Sequence, residues 1–205
     1  NTGTGYTNIL KLAAGDTIDF MVGRGRDDVL YDSGLIIGAT LTSEPIPPDP
    51  QFDLARDFSL ASNPNGAWSY GWAAQADGSF NPLASTRTIA SHNGVPIAVW
   101  EPHPAGLPSI AQVLGPGTAV SGGAMFIAPP ATVYFTPGFD GAPENFAVIR
   151  CTVPADLGGP YRVEADVQPA FEAGLAGDTD FHVLRNGTAL FERELPAGAG
   201  ASYSN

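Results

Sequence analysis

The chain has 205 residues, a mass of 21.2 kDa and a formal net charge of −12, a length that suits one domain, or one domain with an appendage, able to bury its own core. Acidic residues outnumber basic ones 21 to 9 and Lys11 is the only lysine, so electrostatic capture of nucleic acid or anionic lipid is disfavoured. Hydrophobic residues at 43% with charged residues at 15% exclude a disordered polyelectrolyte, and the apolar runs are far short of a membrane span. Gly 25 and Pro 19 with few helix formers give the composition of an all-β, turn-rich protein.

Taken in chain order, Ile9-Leu10-Lys11-Leu12 leads to a turn at Ala14-Gly15-Asp16 and then to Thr17–Val22, where Ile18, Phe20 and Val22 share one face. After a loop at Gly23–Ser33, the β-branched run Leu35–Leu41 predicts a third strand. Pro45, Pro47, Pro48 and Pro50 follow, and a proline block cannot continue a sheet ladder but favours extended polyproline geometry. The predicted organisation is therefore N-terminal strands in 1–42, a linker in 43–51 and a body in 52–205. In the body, short strands are predicted at Phe58–Leu60, Trp68–Ala74, Val95–Trp100, Met125–Ala128, Thr132–Phe135, Phe146–Val153, Tyr161–Val167, Asp180–Arg185 and Thr188–Glu192, with one helical turn at Ser109–Leu114. Asn186-Gly187 between two such runs predicts a type I′ hairpin, whose central positions both need positive φ. The fold class expected is all-β, a jelly roll or β-sandwich.

The segment Gly200-Ala201-Ser202-Tyr203-Ser204-Asn205 echoes Gly3-Thr4-Gly5-Tyr6-Thr7-Asn8. Overlaying the two runs the C-terminal segment directly into Ile9–Leu12, as though the natural order were 52–205 followed by 9–42. In that order, Phe58–Gly71, Thr152–Asp156 with Tyr161, Thr179–Gly187 and Ala14–Phe20 together resemble a jelly-roll module of secreted and surface proteins of environmental bacteria, itself similar to carbohydrate-binding modules. Most of the chain is covered, with the family's last third at this chain's N-terminus. Two departures are Phe135-Thr136-Pro137-Gly138, which lacks a histidine before Pro-Gly, and Cys151, which stands where a tryptophan is usual. The resemblance implies the fold and export to the cell exterior. The chain begins Asn-Thr-Gly without a basic-then-apolar leader, and an exported protein is expected to have had its signal removed.

Strands carried at the wrong end of a domain must complete either their own sandwich or a neighbouring one, because open sheet edges are an aggregation hazard. In the second case each copy donates to one neighbour and receives from another, a heterologous contact that propagates as a fibre. Ser43–Gln51, extended at about 3.1 Å per residue, spans roughly 25–30 Å, which suits reaching between bodies. The expected function is thus a structural, non-enzymatic subunit of an extracellular, pilus-like homopolymer, with Ile18, Phe20, Val22, Leu35 and Ile37 as the inserted anchors. The alternative is a carbohydrate-binding module: Trp68, Tyr70 and Trp72 alternate and point to one face of a strand, and Trp100 precedes a loop, so these four are the candidate contacts to a polysaccharide.

Catalytic signatures are sparse. The sequence has no Gly-x-Ser-x-Gly elbow, His-Glu-x-x-His or Walker loop, and His92, His103 and His182 are widely separated. No cofactor is expected beyond a structural calcium, for which Asp27, Asp28 and Asp32 or Asp178 and Asp180 offer hard oxygen ligands without EF-hand spacing. The lone Cys151 forms no intrachain disulfide and reads as a small core residue. Thr40, Thr42 and Ser43 have the composition of an O-glycosylated stalk and Asn186-Gly187-Thr188 that of an N-glycosylation acceptor.

Overall fold

The computed structural model describes residues 3–30, 33–44, 51–120, 126–171 and 177–196. Two antiparallel sheets pack face to face. One carries β1 (Thr4–Leu12), β3 (Leu35–Ser43), β7 (Ser85–Ala90), β8 (Pro96–Glu101), β9 (Ser109–Val113), β12 (Val133–Thr136) and β14 (Gly159–Pro169) in the order β1-β14-β3-β12-β9-β8-β7, with β4 (Phe52–Asp53) appended to β3. The other carries β2 (Thr17–Gly23), β5 (Trp68–Ala73), β6 (Asn81–Pro82), β13 (Phe146–Thr152), β15 (Thr179–Arg185) and β16 (Thr188–Leu195) in the order β16-β15-β2-β13-β5-β6. A small hairpin of β10 (Ala119–Val120) and β11 (Ile127–Ala128) stands apart. This is the expected all-β sandwich.

The core lies between the sheets because each strand alternates. Ile18, Phe20 and Val22 of β2 face Leu35, Ile37, Ala39 and Leu41 of β3, with Tyr70, Ile149, Val163 and Phe181 completing one buried cluster. A second apolar layer forms on the outer side of the larger sheet, where Ile36, Ile97, Val99, Ala111 and Val113 are covered by Ala119, Ala128 and Ala170. Phe126, Tyr134, Phe171, Ile89 and His92 line a groove of about 500 Å³ beside that layer. This double layering explains why Ser109–Val113 is a strand rather than the predicted helical turn: Ile110 faces the core while Ala111 and Val113 face the second layer, so both faces are apolar and the period of two is hidden.

Phe58–Leu60 is likewise not a strand. Chain direction changes just before it in α1 (Leu54–Asp57), whose N-cap Asp53 accepts a hydrogen bond from the Arg56 amide at 3.0 Å. The hairpin at Asn186-Gly187 forms as expected, with φ of 49° and 77°. The proline block at 45–50 and the C-terminal echo at 200–205 lie outside the described residues.

Candidate strand-exchange interface

Neither β2 nor β3 is an edge strand. β2 is hydrogen-bonded to β15 on one side and β13 on the other, and β3 to β14 and β12. Remove them and the smaller sheet splits into two unconnected parts, and the larger into β1-β14, β12-β9-β8-β7 and an unpaired β4. Residues from the first 43 positions are therefore the central rungs of both sheets, and in this structure they are supplied by the chain's own N-terminus.

All five anchor residues are core residues: Ile18, Phe20, Val22 and Leu35 have no solvent exposure and Ile37 almost none. Phe20 packs against Trp68 with ring centroids 6.4 Å apart. On the opposite face of the same strand, Asp19 is buried and grips Arg150 of β13 through a two-pronged pair at 2.6 and 2.8 Å. The Arg150 guanidinium also sits 4.3 Å from the centroid of the Phe80 ring, and strand register places Asp19 and Arg150 directly opposite each other. Such a forked, part-buried pair fixes alignment as well as energy, since a one-residue slip would leave both charges unpaired.

The turn before β2 is tied to the body as well. The Gly15 amide donates to the Val153 carbonyl and the Val153 amide donates to the Asp16 carbonyl, each at 2.9 Å. Asn186 accepts from the Thr17 amide and donates to Asp16, each at 2.8 Å. The Asn186 amide, the Ala13 backbone amide and the Arg185 guanidinium together hold the Asp16 carboxyl down at about 2. A carboxyl depressed on folding adds stability that is complete above its ordinary range near 4 and is lost as pH falls through its folded value. Asp16→Asn is therefore expected to lower stability at neutral pH and to flatten the loss between about pH 4 and pH 2 seen in acid titration of the parent chain, followed by tryptophan fluorescence.

Cys151, opposite Ile18 in the ladder, is fully buried as expected. Burial, and secondarily Asp57, push its thiol up to about 12. Its reaction with a thiol reagent in the folded chain at pH 8 is expected to be about a hundredfold or more slower than in denaturant; comparable rates in the two states would contradict the burial.

The sugar-contact candidates are corrected by the packing. Trp68, Tyr70 and Trp72 do share a face, but it is the core face: Trp68 and Tyr70 are buried and Trp72, half-buried, packs against the same cluster. Trp100 is 5% exposed, stacks on Tyr70 at 6.0 Å and donates its indole N–H to the Ser59 carbonyl at 2.8 Å. Trp68, Tyr70 and Trp100 offer no open stacking surface, and Trp72 is half-buried. Alternation revealed that the rings share a side without revealing which side is solvent.

The glycosylation candidates divide similarly. Thr42 is buried, and Thr40 and Ser43 are half-buried in β3; the Asn186 side-chain nitrogen is already committed to Asp16. Of the calcium candidates, Asp178 and Asp180 accept from the Arg26 and Gly25 amides at 3.1 and 2.9 Å, Asp180 also meets His182 at 2.5 Å, and Asp28 pairs with Arg24 at 2.6 Å. Asp27 accepts from the Val29 amide at 3.0 Å, while Asp32 lies outside the described residues. These carboxylates serve as loop acceptors, and among the described residues no group of three or more His, Cys, Asp or Glu side chains comes together to hold a metal. Among the described residues no helix is long and apolar enough to cross a membrane.

Sequence reasoning missed Asp19 and Arg150. The available signal was a charged residue inside a β-branched run on each of two strands, Ile-Asp-Phe and Ile-Arg-Cys, of opposite sign. Comparison with protein-family models, with curated proteins and with solved structures gives no match.

Proposed function

We propose that this protein is a non-enzymatic structural subunit of an extracellular fibre, joined head to tail by donation of the N-terminal strands to the sandwich of a neighbouring copy. The observation that carries the reading is the interior position of β2 and β3: a body starting near Gln51 holds a complete core only when some chain supplies those strands. Donation preserves every strand pair and core contact and alters only the path of residues 44–51. That path is where the sequence places its proline block. Closing on the same body requires the chain to reverse there, since Phe52 pairs antiparallel with Leu41. A sequence with four prolines in six positions favours extended geometry over a reversal, which supports reaching about 25–30 Å to a second body. Export is supported by the resemblance to modules of secreted proteins.

Light scattering on a sizing column, with negative-stain imaging of the same fractions, tests the reading. Long uniform fibres are expected; a compact 21.2 kDa species at all concentrations contradicts it. Replacing Pro45, Pro47, Pro48 and Pro50 with Gly and Ser should move material from fibre to monomer without lowering thermal stability.

A further inference from the structure

We infer that the edge of β14 is a pairing site with two claimants: the N-terminal Gly3–Asn8, which occupies it in this structure, and the C-terminal Gly200–Asn205 of the same or a neighbouring chain. Among the described residues β1 is an edge strand paired with β14 alone, in a register that runs from Thr4 opposite Val167 to Leu12 opposite Gly159. Tyr6 is its one large inward side chain in the first half, buried and 5.9 Å from Phe191 of β16. The C-terminal echo carries Tyr203 at the equivalent place.

Steric detail follows the echo. A Cβ on Gly3 would fall 1.9 Å from the Val167 carbonyl oxygen, a backbone obstacle that cannot move aside, and the equivalent residue, Gly200, is again glycine. A Cβ on Gly5 would meet first the Asp166 carboxylate, at 2.6 Å, the far end of a mobile side chain, and then the Ala165 carbonyl oxygen at 3.2 Å, which a shift of a few tenths of an ångström relieves, and there the echo has Ser202. The substitution pattern is what the β14 edge would tolerate.

Direction and reach agree. β16 starts at the Asn186-Gly187 turn, which is bonded to Asp16 and Thr17 just past the end of β1. β16 therefore runs opposite to β1 and ends, at Leu195, on the side where β1 begins. Pro196–Ala199 separates Leu195 from Gly200, a connection of ordinary length between neighbouring strands. The site exists whether β2 and β3 come from the same chain or another, so this inference stands apart from strand donation.

The full chain carrying Thr7→Cys, Glu164→Cys and Ser204→Cys tests it under mild oxidation. Thr7 lies opposite Glu164, and by the echo Ser204 takes the same place; Cα atoms of opposed antiparallel residues are within disulfide reach, and Cys151 is buried. Peptide mapping is expected to find position 164 linked both to 7 and to 204. Adding Tyr203→Asp should reduce the 164–204 share about tenfold by placing a charge in the apolar socket, and Tyr6→Asp should raise it. A thiol at 164 that links only to 7, or a 164–204 share indifferent to Tyr203→Asp, overturns the inference. Linked products of single-chain or double mass tell whether the C-terminal claimant is the chain's own or a neighbour's.

Discussion

Phe20→Ala is expected to cost about 3–5 kcal/mol of folding stability, because the ring is fully buried between the sheets and the surrounding strands can collapse only partly into the space it leaves. Against a total of about 5–15 kcal/mol for an ordinary domain, that is a large share, and the melting temperature should fall by roughly 10 °C for a chain of this length. Ile9→Ala in the neighbouring strand provides the contrast: Ile9 is 54% exposed, so its loss should stay within about 0.5 kcal/mol. Urea unfolding followed by tryptophan fluorescence checks both. A Phe20→Ala midpoint equal to that of Ile9→Ala would show that β2 does not sit in the core.

The second large effect belongs to Asp19 and Arg150. Removing the carboxylate by Asp19→Ala leaves the Arg150 guanidinium, only a quarter exposed, without its partner, and breaking such a pair costs about 3–5 kcal/mol when burial is complete; the partial exposure here puts the expected loss at about 2–3 kcal/mol. Asp19→Arg is more severe, since two guanidinium groups then face each other across the β2–β13 ladder. Charge reversal of both partners in one chain, Asp19→Arg with Arg150→Asp, should recover most of the loss. A single Asp19→Ala variant with unchanged stability would mean that the pair contributes register alone.

How much of this was legible in the sequence depends on what each strand faces. Ile18, Phe20 and Val22 announced their strand because they alternate with Thr17 and Asp19, although Met21 on that second face is buried in an apolar cluster of its own. Asn186-Gly187 announced its turn because few other residues accept two positive φ values in succession. Ser109–Val113 concealed its strand under apolar residues on both sides, and Ser85–Ala90 concealed its own as a largely exposed polar edge beside β8. Phe58 and Leu60 suggested a strand through local apolar character, whereas they pack, partly buried, against the core after a capped helical turn. The anchors of the candidate interface were readable for the same reason as β2 itself. The inward direction of Trp68 and Tyr70 was not, because which side of an alternating strand meets solvent is decided by the sheet packed across from it.

Strand donation makes the Asp19–Arg150 pair a contact between two chains, and mixing charge-reversed chains tests that most directly. One preparation carries Asp19→Arg, the other Arg150→Asp; each is unfolded, then refolded alone or together, and imaged. In a donated assembly the mixture can alternate, so that every slot meets a donor of opposite charge, and fibres are expected from the mixture while each variant alone gives few or none. If the strands always enter their own body, each chain meets only its own mismatched partner, and a mixture that behaves as the sum of its two components would contradict strand donation.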